Sequence, residues 1–244
     1  MSKGWVLIAM FLAGSAAAQE EGGIALQHAG TDISNTESLQ RGARNFMNYC
    51  SGCHSLKYLR YNRLAADLKI PESELGNLMF TTDKSFETIN SAMPKDSEGW
   101  FGKQPPDLSL MARARGTDYL YSYLKGYYVD KTRPWGVNNL YLPSTAMPHV
   151  MQSLQGLQKP VYKNEPDAQG NAKMVLASLA IMTPGAMKPE EYDQFVRDIV
   201  NFLDYAGEPV KEKRQSMGVF VTLFLLVFFV FAYLLKKEYW KDVH

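Results

Sequence analysis

Cys50-Ser51-Gly52-Cys53-His54 has the spacing C-x-x-C-H. Two thiols one turn apart, with an imidazole directly after them, suit covalent attachment of a c-type haem. The sulfurs add across the two vinyl groups and the ring meets the iron from the same face. A redox dithiol of the thioredoxin type belongs in a βαβ pattern, which the flanking sequence lacks. A structural zinc site takes four Cys or His ligands, whereas His28, His149 and His244 are scattered. A disulfide between Cys50 and Cys53 would close so small a loop that it would stabilise little.

The two ends of the chain carry opposite signals. Residues 1–18 read as a secretory signal peptide: Lys3, an apolar run from Trp5 to Ala13, and small residues at Ser15-Ala16-Ala17-Ala18. The run is short for a membrane span and Gln19-Glu20-Glu21 follows at once. This predicts a mature chain starting at Gln19 outside the cytoplasm, where bacteria attach c-type haem. Residues 217–235, Met217 to Leu235, carry no charge and are rich in Phe, Leu and Val. A run apolar on all sides and about 20 residues long predicts a membrane-spanning helix rather than a core helix. Lys236, Lys237 and Lys241 follow it, with Tyr239 and Trp240 as interfacial aromatics, in a tail, residues 236–244, expected to be cytoplasmic. The domain between, residues 19–210, is then periplasmic, joined to the span by a tether over 211–216, the end of the short charged stretch Gly207 to Ser216. Overall charge is near balance, with 26 Lys and Arg to 25 Asp and Glu. No basic stripe points to nucleic acid. With both cysteines assigned to haem, no disulfide is available to the fold.

Helical spacing predicts a helix over 35–49 leading into the motif, with Ser34 or Asn35 as cap and Leu39, Ala43, Phe46 and Met47 on one face. A second is predicted over 189–205, with Pro189 in its first turn, Glu190 and Glu191 at its positive end, and an exit at Gly207. A third, weaker helix is expected over 117–129, its tyrosines read as core. Little of the chain alternates as strand does. The Gly/Pro/Trp-rich stretches 99–106 and 131–148 read as ordered loops, since Trp100, Phe101, Trp135, Leu140, Tyr141 and Leu142 need burial. Residues 160–172 read as an exposed polar excursion.

An electron-carrying haem needs a second axial group besides His54, and a thioether raises the reduction potential. Twelve methionines are present, most of them core filler. Met93 and Met147 both occur as Ala-Met-Pro. Pro143 and Pro148 bracket Met147, and this loop rigidity favours it over Met93. His149, just past Pro148, reads as a polar loop residue.

The order of C-x-x-C-H, Pro105-Pro106-Asp107-Leu108-Ser109, Ala114-Arg115-Gly116-Thr117-Asp118-Tyr119, Ala146-Met147-Pro148 and a C-terminal anchor resembles the cytochrome c1 family across nearly the whole mature chain, its bacterial members in particular. The resemblance implies a mainly α fold: a cytochrome c-like haem domain with long loops plus one C-terminal transmembrane helix. It implies one haem c held through Cys50 and Cys53, with His54 and Met147 on the iron. Arg115 and Tyr119 would approach the propionates, with Arg113 close enough to leave the register open, and Pro105 and Pro106 would line the haem edge. It also implies a role in the cytochrome bc1 complex: one electron taken from a Rieske iron–sulfur protein and passed to cytochrome c, beside cytochrome b in the bacterial inner membrane. Such a subunit supplies no acid, base or nucleophile of its own.

Three other readings differ in what they predict. A free-standing tethered cytochrome would shuttle without a b-type partner. A peroxidase-like haem enzyme would have an open iron site. A non-haem anchor protein would be colourless. Acidic pairs at Glu72/Glu74 and Asp96/Glu98 read as solvated loops rather than steering patches.

Overall fold

A computed structural model describes residues 24–166 and 172–242; the expected signal peptide lies outside them. Two helices form its frame. Helix α1, Thr36–Tyr49, starts where Asn35 Oδ1 accepts from the Ser38 N–H at 3.0 Å. Helix α8, Pro189–Gly207, starts where Glu191 reaches back to the Lys188 N–H at 3.0 Å, with proline at its first position. The two pack through Leu39, Ala43, Phe46, Val196, Ile199 and Phe202, all buried. Phe46 and Phe202 rings sit 5.6 Å apart. At Gly42 the helices approach closely: a Cβ there would overlap the Asp198 carbonyl oxygen. The buried Asp198 carboxylate beside it accepts from Ser38 Oγ at 2.7 Å, Arg41 Nε at 2.7 Å and Gln194 Nε2 at 2.8 Å.

The remaining elements surround this pair. Strand β1, Leu56–Arg60, follows the motif and leads into α2, Tyr61–Leu68. Short helices α3, Glu72–Leu75, and α4, Glu98–Phe101, flank β2, Thr88–Ile89, which pairs antiparallel with β1. Helices α5, Met111–Arg115, and α6, Thr117–Lys125, lie against α8. The helix expected over 117–129 is therefore shorter. Gly126 ends it, and the aromatic and β-branched run Tyr127–Val129 becomes strand β3, antiparallel to β4, Val137–Asn139.

The long hairpin is the larger correction. After α7, Gln152–Gln155, strand β5, Gly156–Pro166, runs antiparallel to β6, Ala172–Pro184. Residues 160–166 of the segment expected as an exposed polar excursion are thus strand, with 161–164 exposed as expected. Pro160 and two bulges break its alternation, which hid it. Gly156, at φ +90°, starts it with its Cα so close to Thr183 and Gly185 that a side chain has no room.

Helix α9, Lys211–Tyr239, is 29 residues long with a mean hydropathy of 2.7 over its most apolar stretch, and every residue of it after Lys211 is exposed. Among the described residues it is the one helix long and apolar enough to span a membrane. The charged stretch expected as a tether is helical from Lys211 onward, so only 208–210 separate α8 from α9.

Candidate haem site

Helix α1 delivers the motif. Its last turn closes with Cys50 N–H donating to Phe46 O at 2.8 Å. A further turn follows, with Cys53 N–H (3.0 Å) and His54 N–H (2.8 Å) both donating to Cys50 O. Both thiols are half-buried and unbonded. Burial, with a smaller contribution from Cys53, pushes the Cys50 thiol up to about 12. His54 is buried, and its Nδ1 lies 2.7 Å from the Pro106 carbonyl oxygen. A carbonyl only accepts, so Nδ1 carries the proton and Nε2 is the nitrogen for a metal. Burial lowers the His54 pKa, against a smaller pull from that carbonyl and from Asp107.

The segment 105–109 is fastened along the motif. Leu108 N–H donates to Ser55 O at 2.9 Å. Asp107 accepts from Lys57 N–H (3.0 Å) and Ser109 N–H (2.9 Å), and Ser109 Oγ accepts from Tyr58 N–H at 3.2 Å. Pro105 is half-buried and Pro106 exposed beside the imidazole.

Met147 is partly buried against the main core. The strap that carries it, residues 140–149, is held by more than its two prolines. Asn139 Oδ1 accepts from Tyr141 N–H at 2.9 Å, and Asn138 Oδ1 accepts from Ser144 N–H at 2.8 Å. Tyr123 Oη lies 2.9 Å from Thr145 Oγ1 and 2.9 Å from Tyr127 Oη, and Tyr127 donates to the Met147 carbonyl at 3.3 Å. Met93 is also half-buried and follows Ser91, whose N–H donates to Ser55 Oγ at 2.8 Å.

Arg115 and Tyr119 come together, with the guanidinium carbon 5.6 Å from the ring centroid. Arg113 goes elsewhere: its side chain packs at Gly207 and its charge acts on Glu208. This separates the two arginines, between which the sequence leaves the register open.

Two expectations change here. His149 lies in the loop as expected, but not as a polar residue facing water. It is buried, parallel to the Tyr127 ring at 4.7 Å, and neither ring nitrogen makes a hydrogen bond. Burial takes its pKa down to about 4, against a smaller opposing pull from Gln155. Trp100, Trp135 and Leu142 are not buried but 57%, 45% and 42% exposed. The aromatics pack on one another instead, with Phe101 5.5 Å from Trp135. Together with Arg133 and the strap residues Ser144–Ala146 they line a cleft of about 350 Å³. The sequence gives little sign of Tyr123, Tyr127, Asn138 and Asn139 as site residues. Their only mark is the spacing of Tyr119, Tyr123 and Tyr127 by four, which also fits plain core.

The donor set fits a covalently bound haem. Two unbonded thiols share one turn, one imidazole nitrogen is spoken for by a carbonyl while the other is left for iron, and a thioether sits on a clamped strap.

The cytochrome C1 family model matches residues 28–90 and 81–243. The chain is 49% identical over 237 residues to a cytochrome c1 of Allochromatium vinosum, covering 96% of each chain. It is 42% identical to a protein of Nitrosomonas europaea named ammonia monooxygenase gamma subunit, covering 98% of this chain and 96% of that one. A cytochrome c1 of Rhodospirillum rubrum is 29% identical, over 94% of this chain and 93% of its own. Family match, near-full-length identity and the geometry of the motif agree that the chain belongs to the cytochrome c1 family.

Proposed function

We propose that His54 Nε2 and the Met147 sulfur hold the haem iron, that Cys50 and Cys53 carry the thioether links, and that Arg115 with Tyr119 faces the propionates. The same proposal has Pro105 and Pro106 covering the haem edge, a Rieske iron–sulfur protein as electron donor, and a cytochrome c as acceptor on the periplasmic side. As a member of the cytochrome c1 family, the chain carries one covalent haem c and is the membrane-anchored, electron-carrying subunit of a bc1 complex containing cytochrome b. The haem, when bound, supplies a one-electron couple.

This chain's residues do the rest by holding still. The Pro106 carbonyl fixes the His54 ring orientation and raises its basicity as a ligand. The strap hydrogen bonds limit how far Met147 can move between oxidation states, which keeps reorganisation small. Arg115, always charged, offsets carboxylate charge beside the porphyrin. The residue ranges proposed for the working protein are a periplasmic domain over 19–210, a span over 217–235 and a cytoplasmic tail over 236–244.

The observation that supports the His54 assignment is the 2.7 Å contact from its Nδ1 to Pro106 O, which leaves the other nitrogen for iron. Met147→Leu is expected to abolish the thioether-to-ferric charge-transfer band of the purified haem protein, while Met93→Leu keeps it. An unaltered band in the first variant rejects Met147. Gentle detergent purification is expected to bring down b haem and an iron–sulfur signal with this chain; elution without b haem would favour a free cytochrome.

A further inference from the structure

We propose that Tyr127 is a positioning residue for the sixth ligand: its hydroxyl, within a buried cluster with Tyr123 and Thr145, sets how firmly Met147 can hold the iron. The proposal rests on Met147 being that ligand. Tyr127 is 1% exposed and Thr145 6%. Tyr127 Oη donates to the carbonyl oxygen of Met147 itself, at 3.3 Å. Two residues earlier, Thr145 Oγ1 meets Tyr123 Oη at 2.9 Å, and Tyr123 Oη meets Tyr127 Oη at 2.9 Å. One hydroxyl cluster therefore holds the strap on both sides of Ala146-Met147.

The ring of Tyr127 is itself held. His149 lies parallel to it at 4.7 Å with an interplanar angle of 1°. Its backbone sits in β3, paired through Tyr127 to Asn139 in β4. Gln158 Nε2 donates to the Tyr127 carbonyl at 2.8 Å. The donor that reaches Met147 is thus anchored to the sheet and to the foot of the long hairpin, besides its stacking on His149 at the end of the strap. A strap pinned only by Pro143 and Pro148 would be stiff in its own bends but free to lift as a unit. Asn138 and Asn139 hold the strap's first half, and the hydroxyl cluster supplies at Thr145 and Met147 the restraint that prolines cannot, since proline fixes φ and makes no contact across space.

A phenylalanine at 127 keeps the ring and its stacking on His149 and removes only the hydroxyl. The test uses the full chain, haem attached, in its detergent-solubilised complex. Two quantities are read: the thioether-to-ferric charge-transfer band, and the rate at which carbon monoxide binds the ferrous haem by displacing the methionine. Tyr127→Phe is expected to weaken the band and speed carbon monoxide binding by about two- to tenfold, the size of one hydrogen bond. Thr145→Val, which cuts the same cluster from the strap side, is expected to act in the same direction and serves if Tyr127→Phe folds poorly. Tyr192→Phe is the control. It is another buried tyrosine, donating to Leu124 O at 3.2 Å, and is expected to leave both readouts unchanged.

Wild-type band and rate in both Tyr127→Phe and Thr145→Val would overturn the positioning role, provided Met147→Leu removes the band. A band that survives Met147→Leu would instead overturn the ligand assignment, and the positioning role with it. An equal change in Tyr192→Phe would mean a general loosening of the core, and would also overturn the proposal.

Discussion

The Pro106 carbonyl that orients His54 is held in place by its neighbour. Asp107 accepts two backbone N–H groups, from Lys57 and Ser109, and so ties the segment 105–109 to the strand that leaves the motif. Asp107→Ala is expected to cost about 1–2 kcal/mol of stability, read by chemical denaturation, because two donors lose their acceptor. It is also expected to raise the haem reduction potential. A looser contact at Nδ1 makes the imidazole a poorer electron donor to iron, and a potentiometric titration reads the shift. At this scale much of the site was legible in the sequence. C-x-x-C-H names its own chemistry, because covalent attachment needs only local spacing, and Met147, the proposed second ligand, stands out by its flanking prolines, because φ restriction is local too. Tyr127, Thr145 and His149 were not legible. Their roles come from a contact across 20 residues of chain and a ring stacked on another ring, and no local pattern of residue types announces either. Arg113 and Arg115 differ in which neighbour α5 brings to them, so only the family resemblance favours Arg115 and the residues themselves leave the register open.

Among the elements, α1 and α8 were readable because each carries both a cap and an apolar face, and the two signals agree. The hairpin β5–β6 was not. One strand contains prolines and charges, and the other, with its run of Leu, Ala and Met, has no alternation to give it away. Its identity comes from pairing with a partner strand, which is a tertiary fact. The packing of α1 on α8 supports a sharp expectation. Gly42→Ala places a methyl against the Asp198 carbonyl oxygen and 2.7 Å from Phe202 Cβ, both parts of a helix that cannot step aside cheaply. The variant is expected to lose about 3 kcal/mol or more, measured as a fall in melting temperature. Its haem yield in vivo should fall as well, since α1 ends directly in the attachment motif. Gly76→Ala, away from the motif, at helical φ and with open space around its Cα, is the comparison and should melt near wild type.

For the whole molecule, the question is whether haem domain and anchor move together. Only Glu208, Pro209 and Val210 lie between α8 and α9. Charged groups bridge this joint: Lys211 Nζ meets both Asp204 carboxylate oxygens at 3.0 and 2.9 Å, and Arg214 meets Glu208. Asp204 is itself buried, in the last turn of α8, so the first turn of the anchor is fastened to the core and not to a surface loop. A tethered shuttle needs reach, and a three-residue joint clasped by ion pairs denies it. A subunit of a fixed complex needs the haem held at a set height over the membrane, which this joint provides. At about 1.5 Å per residue α9 is roughly 44 Å long, more than the hydrocarbon core of about 30 Å. Its charged first turns therefore stand clear of the lipid, where the clasp can form. Inserting a flexible Gly-Ser segment of about ten residues after Val210 separates the two alternatives. With a fixed subunit, quinol-to-cytochrome c turnover in purified membranes is expected to fall several-fold, while the haem spectrum and reduction potential stay at wild type because no residue around the haem has changed. With a shuttle, the same insertion would widen its reach and leave turnover equal or faster. Equal or faster turnover with b haem still co-purifying would mean that the clasped joint does not set the height of the haem.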